Sequence, residues 1–216
     1  NSSSTSTPKN AYTFSNIDLN ATYSASSIGG KVSIDDPNIR LSADGSLSTL
    51  GKGKDIALAV NIDDICPQSI NLSSRWGDAR FSAIVTADMR ASAVNDAQGT
   101  LFITDFSLTS STDSCRIDHI DVEAGFSGKT HNIRLDSDFG HIDINGTFDI
   151  ATLAKSFSNI VGSKLPTLPG LTHDGRSYGN AFSLKAFISS TRWMRPLLGV
   201  NLDIQSPLVI DSRLDD

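Results

Sequence analysis

Apolar and polar residues alternate along most of this chain, and Gly, Asp, Asn and Ser separate the alternating segments. The apolar members of the first segment are Ile17, Leu19, Ala21 and Tyr23. The same period returns around residues 56–62, 120–126 and 182–188. Because successive side chains of a strand point to opposite faces, each segment predicts a strand with one apolar face. We therefore predict an all-β fold, a long curled antiparallel sheet with a single apolar side and one short amphipathic helix.

Turn signals divide the alternating segments. Asp44–Gly45 and Asn145–Gly146 predict tight hairpin turns, and Pro37 predicts a turn between two short strands. A further turn is predicted at residues 27–30, after a strand over residues 12–23. Residues 41–50 resemble residues 142–150, since each reads as a strand, a turn with Gly and a second strand.

One segment departs from the two-residue period. The residues Leu153, Phe157, Ile160 and Val161 follow a spacing of three and four. This spacing predicts an amphipathic helix over Ile150–Lys164, which Pro166 and Pro169 then end. We predict a linker at 1–11, a first sheet segment at 12–150, the helix and a Pro-rich connection at 151–177, and the start of a next sheet segment at 178–216.

Composition and charge exclude some classes of function. The 216 residues are 38% hydrophobic and 7% aromatic, and the formal net charge is −6. Lys and Arg are scattered singly, without the basic stripe that a nucleic acid requires, so we expect no nucleic-acid partner. The Ser/Thr tract at residues 1–10 resembles a linker, and the chain ends within an alternating pattern. We therefore expect an excised segment of a longer protein.

The residues that could carry chemistry form no known catalytic or metal-binding pattern. The four His residues lack a partner at metal-ligand spacing, and no Ser lies in a nucleophile elbow. We therefore expect no enzyme, no metal and no cofactor. A disulfide between Cys66 and Cys115 would stabilise the fold by about 3–4 kcal/mol, and two free thiols are the alternative. Trp76 and Trp193 are either sugar-stacking platforms or packed core residues.

Several strand and turn motifs together resemble the TamB family of envelope proteins, in the versions found in Bacteroides-type bacteria. The resemblance covers most of residues 28–210. Its motifs are Gly30-x-Val32-x-Ile34-Asp35-Asp36-Pro37-Asn38-Ile39-x-Leu41, Asp44-Gly45, Ala87-Asp88-Met89, Gly99-Thr100-Leu101-Phe102-Ile103, Ile133-x-Leu135-x-Ser137-Asp138, Ile144-x-Gly146-Thr147-Phe148-x-Ile150-x-x-Leu153 and Leu165-Pro166.

The resemblance implies a curled sheet whose apolar face forms a groove in the periplasm. Its parent protein would be anchored in the inner membrane and would reach toward the outer one. The implied partners are phospholipid acyl chains and the outer-membrane assembly machinery, and the implied function is lipid transport and outer-membrane biogenesis. No catalytic residues are implied.

The residues that we expect to line such a groove are the apolar members of several predicted strands. They are Val32, Ile34, Ile56, Leu58, Val60, Ile133, Leu135, Ile142 and Ile144. Unpaired edge strands at the ends of the sheet would favour edge-to-edge self-association. Two alternatives stay open: a secreted or surface β-sandwich binding module of adhesin or lectin type, and outer-membrane protein assembly without lipid carriage.

Overall fold

The computed structural model describes residues 12–50, 53–164 and 174–215. These residues form one open antiparallel sheet of eleven strands, arranged in the order of the chain. The strands are β1 (Ile17–Tyr23), β2 (Ser27–Asp36), β3 (Ile39–Leu50), β4 (Gly53–Ile65), β5 (Arg80–Ala91), β6 (Gln98–Thr109), β7 (Ser114–Ser127), β8 (Thr130–Ser137), β9 (Gly140–Thr147), β10 (Ala181–Ile188) and β11 (Leu208–Asp215). The helices are α1 (Ile150–Lys164) and α2 (Met194–Leu198), and a 3₁₀ turn spans Val94–Asp96. The predicted fold class is confirmed.

The register of the strands gives the sheet one apolar and one polar face, because directly paired residues lie on the same face. Three neighbouring rows of paired residues define the apolar face. The middle row is Ala21, Gly30, Gly45, Leu58, Ala87, Leu101, Val122, Leu135, Ile142 and Ala186. Its neighbours are a first row (Leu19, Val32, Ala43, Val60, Val85, Ile103, Ile120, Ser137, Gly140, Ile188) and a third row (Tyr23, Ile28, Leu47, Ile56, Met89, Gly99, Ala124, Ile133, Ile144, Leu184).

Helix α1 covers the apolar face of the last strands, and its bounds are those predicted. The Asp149 carboxylate caps the helix by accepting a bond of 2.8 Å from the backbone N–H of Ala151. Leu153 and Phe157 pack against a core that contains the buried residues Phe148 and Phe182. The apolar face of α1 therefore packs against the sheet and is partly buried.

A second core lies at one end of the central strands. The segment between β4 and β5 crosses this end, and Trp76 packs edge-on against Phe81 with 5.3 Å between ring centroids. The indole N–H of Trp76 donates to the backbone oxygen of Leu197 in α2 at 3.1 Å. The buried apolar residues here include Ile39, Ala79, Leu108 and Ile117.

Three predicted turns are wrong. Asp44–Gly45 lies inside β3 and Asn145–Gly146 lies inside β9. The turn predicted at residues 27–30 falls within β2, and the predicted first strand begins only at Ile17. A Cβ at Gly45 would lie 3.3 Å from the Leu58 side chain. These glycines make room for residues on the neighbouring strand instead of bending the chain.

The sheet is continuous across the predicted segment boundaries. Strand β10 pairs with β9 over its whole length, from Ala181 opposite Thr147 to Ile188 opposite Gly140. Strands from both predicted sheet segments, 12–150 and 178–216, therefore belong to one sheet. The predicted linker at 1–11 and the two prolines predicted to end α1 lie outside the described residues.

Candidate functional site

The nine residues predicted to line a groove all lie on the apolar face. Their cross-strand pairs include Leu135 with Ile142, and Ile133 with Ile144. The sequence could not separate groove residues from core residues, and the structure divides them into two groups. Ile133, Ile142 and Ile144 pack against the core beneath α1. The other six are Val32, Ile34, Ile56, Leu58, Val60 and Leu135, and none of them is buried.

The uncovered part of the apolar face extends from β1 to β7. None of the members of the three rows on these seven strands is buried, whereas Phe182, Leu184 and Ala186 on β10 are. We call these row members on β1–β7 the open apolar surface. Its large side chains include Leu58, which is 39% exposed, and Leu19, which is 70% exposed. Exposed apolar area of this extent is characteristic of a binding surface.

The nine candidates lie on β2, β4, β8 and β9, so sequence reasoning missed the parts of this surface on β1, β3, β5, β6 and β7. The register places Ala43, Gly45 and Leu47 in the three rows, between β2 and β4. Reading Asp44–Gly45 as a turn removed β3 from the list of candidates. The signal that could have found it is the unbroken alternation from Ile39 to Leu47, which continues through Gly45.

Small residues leave a depression in the open apolar surface along part of the middle row. Ala21, Gly30 and Gly45 are consecutive cross-strand partners, followed by Leu58. They lie in a shallow depression of about 300 Å³, which is also lined by Ile28, Leu47 and Ile56. Most of the wall is therefore apolar, and the depression runs across the strands.

The opposite face is solvated and charged. Glu123, Arg134, Asp143, Lys185 and Asp211 are consecutive cross-strand partners from β7 to β11, so charges of opposite sign alternate along the row. A depression of about 540 Å³ also lies on this face, toward β1–β5, and Lys31 and Asp44 at its wall form an ion pair of 2.8 Å. Polar residues such as Asp18 and Asn61 line it together with apolar residues such as Ala59 and Ile84.

One histidine on the polar face, His141, forms ion pairs with acidic side chains. His141 lies between two carboxylates, with Nε2 2.7 Å from Asp143 and Nδ1 3.0 Å from Asp136. These carboxylates, Asp143 first, raise the pKa of His141. Among the described residues no group of three or more His, Cys, Asp or Glu side chains could hold a metal ion.

The two cysteines are free thiols, so the disulfide considered from the sequence is not formed. Ile65, Phe81, Leu108 and Cys115 are consecutive partners on β4 to β7, and Cys66 follows Ile65 directly. Three strand spacings of about 4.8 Å separate the cysteine backbones by roughly 14 Å. A disulfide joins Cα atoms only about 4.4–6.8 Å apart.

Both tryptophans take part in internal packing. The ring of Trp193 lies 4.7 Å from that of Phe139, and its indole N–H donates to the backbone oxygen of Ser190 at 3.1 Å. Trp76 is similarly engaged with Phe81 and α2. Neither ring therefore forms a free platform for stacking a sugar.

The fold and this surface together define an open antiparallel sheet whose apolar face is uncovered on β1–β7 and covered by α1 on the last strands. No family model, curated protein or solved structure matches this chain. In the part of the chain that the structure describes, neither helix has the length and apolar character needed to cross a membrane.

Proposed function

We propose that the open apolar surface binds phospholipid acyl chains. The observation that carries this proposal is the continuity of the three apolar rows across β1–β7 with no buried member. Each methylene that leaves water contributes about 0.8 kcal/mol, so a lipid gains from any continuous apolar surface without specific contacts.

The dimensions of the surface suit an acyl chain. Seven strands spaced about 4.8 Å apart span roughly 30 Å across the sheet. One leaflet of a bilayer has a hydrocarbon depth of about 15 Å. An acyl chain laid across the strands, along the depression beside Gly30 and Gly45, would therefore be covered over its whole length.

The wider role that we propose rests on the resemblance to the TamB family. In this role the chain is a non-catalytic segment of a periplasmic, envelope-spanning protein, and its apolar face passes phospholipid toward the outer membrane. The outer-membrane assembly machinery would be a partner of the parent protein.

The arrangement of the sheet disfavours the rival function of a sandwich-type binding module. A sandwich buries the apolar face of one sheet against that of a second sheet. Here all eleven described strands belong to a single sheet, and the apolar face of β1–β7 has no opposing layer of strands. The engagement of both Trp rings in packing also removes the aromatic platforms that a lectin would present.

Lipid capture tests the proposal. A photo-crosslinking residue would be placed at Leu58, at Leu135 and, as the matched control, at Ala59, which is exposed on the polar face of the same strand as Leu58. Leu135 lies on β8, directly opposite Val122 at the border of the open apolar surface, and is not buried. We expect native mass spectrometry of the gently purified protein to show bound phospholipid, with covalent adducts at the first two positions and none at Ala59. A lipid-free protein without adducts at Leu58 and Leu135, or equal labelling at Ala59, would contradict the proposal.

A further inference from the structure

The outer edge of β1 is unpaired among the described residues and bears little charge. Every residue of β1 is exposed, including Leu19 and Tyr23, and the exposed fraction of Tyr23 is 81%. Natural edge strands are protected by charged side chains. Strand β11, at the other edge, carries Asp211, Arg213 and Asp215, whereas β1 carries only Asp18. The β1 edge is therefore the less protected of the two.

Residues 12–15, which directly precede β1, do not occupy this edge. Ser15 donates from its backbone N–H and its hydroxyl to the Asp36 carboxylate, at 3.0 and 2.9 Å. Tyr12 donates to the same carboxylate and accepts a bond from Asn38 at 3.0 Å. Residues 12–15 are thus tied to the turn between β2 and β3, on the inner side of β1.

The backbone groups that point outward from β1 follow from its pairing with β2. Asn16 accepts a bond from the backbone N–H of Asp35, so the even-numbered residues of β1 bond toward β2. Peptide groups of successive residues point to opposite sides of a strand. The N–H and C=O groups of Ile17, Leu19, Ala21 and Tyr23 therefore point to the free edge.

We propose that β1 pairs with β1 of a second copy of this chain in an antiparallel dimer. The two-fold axis of this dimer is perpendicular to the sheet and passes between the two copies of Asn20, which face each other. In this register Ile17 faces Tyr23 of the second copy and Leu19 faces Ala21 of the second copy. Both pairs consist of outward-pointing residues, so each pair exchanges two backbone hydrogen bonds. Asp18 faces Thr22 of the second copy, and no like charges meet.

The topology favours this pairing over a head-to-tail chain of sheets. Because the sheet has an odd number of antiparallel strands, β1 and β11 run in the same direction. Head-to-tail stacking by translation would place β11 against β1 in a parallel pair, which is less stable per residue. The two-fold dimer keeps the antiparallel pattern and places both apolar faces on one side.

The pairing does not depend on lipid binding, but it would extend the surface that we propose for lipid. Each open apolar surface is limited on one side by α1 and reaches β1 on the other. Joining two copies through β1 would produce one continuous apolar surface of fourteen strands, limited by an α1 helix at each end. An interface of seven paired residues is small, so we expect a weak dimer with a dissociation constant of about 10–50 µM.

Cysteine crosslinking tests the register. In the Cys115→Ser background, Asn20→Cys would place two thiols opposite each other in a non-hydrogen-bonded pair with Cα atoms about 4.5 Å apart, which suits a disulfide. The matched control is Thr22→Cys, since residue 22 faces residue 18 of the second copy. We expect mild oxidation to give a covalent dimer with the first variant and a monomer with the second. Equal crosslinking of the two variants, or none, would overturn the proposed register.

Sedimentation of the otherwise unmodified chain tests the dimer itself. We expect a concentration-dependent monomer–dimer equilibrium, which Asn20→Asp should shift toward monomer. Residue 20 lies on the polar face, and an Asp there would face the same Asp of the second copy, so two like charges would meet. A monomer at several hundred micromolar, about ten times the expected dissociation constant or more, would overturn the dimer. The Asn20→Asp variant changes no member of the open apolar surface and should still capture lipid at Leu58, so failure of the dimer and failure of lipid binding can be distinguished.

Discussion

Gly146 on β9 lies directly opposite Phe182 on β10, and its missing side chain leaves the space in which the two strands approach closely. A Cβ at Gly146 would lie 2.3 Å from the backbone oxygen of Ala181 and 2.5 Å from the Cα of Phe182. Phe182 is 3% exposed and belongs to the core beneath α1. The glycine is therefore required by packing.

We expect Gly146→Ala to lower the free energy of unfolding by about 2–3 kcal/mol, because the strands would have to separate within a packed core. The matched control is Gly45→Ala, whose Cβ would have its nearest contact with the flexible end of Leu58 at 3.3 Å and an ordinary contact with the Ala57 backbone oxygen at 3.6 Å. We expect the control substitution to lower the free energy of unfolding by less than about 1 kcal/mol. Urea unfolding measures both changes, and equal effects would contradict this account of Gly146.

The two glycines also show where sequence reasoning succeeds and fails. Two-residue alternation predicted the single apolar face, since it is a local property that the pleat of a strand translates directly into sides of the sheet. Asp44–Gly45 and Asn145–Gly146 were misread as turns because a turn signal and a cross-strand packing requirement both select glycine. Only the partner residues, Leu58 and Phe182, distinguish the two, and their positions depend on long-range register.

For a similar reason, the sequence could not predict which of the groove candidates pack beneath α1 and which remain uncovered. Ile142 and Val60 occupy equivalent alternating positions in the sequence, yet only Ile142 packs against the core under α1. The amphipathic pattern predicted the helix with its observed bounds. It carried no information about which strands the helix would cover.

The ion pairs of His141 predict a pH dependence of stability. Asp143 and Asp136 raise the pKa of His141 above its ordinary value of 6.5. A raised pKa means that the folded state favours the protonated ring, so the stabilisation is complete below about pH 6.5 and is lost as pH rises through the folded pKa. We expect the urea midpoint to fall over that range in the unmodified protein and to change less in His141→Gln. Parallel pH profiles for the two proteins would refute the assignment.

The hydrogen bonds of the Asp36 carboxylate predict a second pH dependence of stability, at acid pH. The hydroxyl of Tyr12, followed by the backbone N–H of Asn38, lowers the pKa of Asp36 to about 2. A lowered pKa means that this contribution to stability is present above the ordinary value of 3.8 and is lost as pH falls toward 2. We expect Tyr12→Phe to raise the pKa of Asp36, as measured by NMR titration of its carboxyl carbon. The reference is Asp174, whose pKa of about 2 depends on Tyr178 and should not change.

The side chain of Asn180 holds α1 on the apolar face through hydrogen bonds. Its side chain is 1% exposed and accepts a bond of 2.8 Å from the backbone N–H of Asp149. It also donates to the hydroxyls of Thr152 at 3.1 Å and Ser156 at 2.6 Å. We expect Asn180→Ala to speed hydrogen exchange in α1 by roughly ten- to a hundred-fold, which corresponds to about 1–3 kcal/mol. The control Asn145→Ala, at an exposed position on β9, should leave exchange in α1 unchanged.

The same variant tests whether α1 limits the lipid surface that we propose. Ile144 is on the apolar face but packs against the core that α1 covers, whereas Leu58 lies on the open apolar surface. A photo-crosslinking residue at Ile144 should therefore capture little lipid in the otherwise unmodified protein, and capture should rise when Asn180→Ala loosens the helix. Capture at Leu58 should stay the same in both, because the strand residues that pack in the core beneath α1 lie on β8 to β11 and not on β4. Strong capture at Ile144 with α1 fully protected from exchange would mean that lipid and helix occupy this part of the face together, and that α1 does not end the lipid surface.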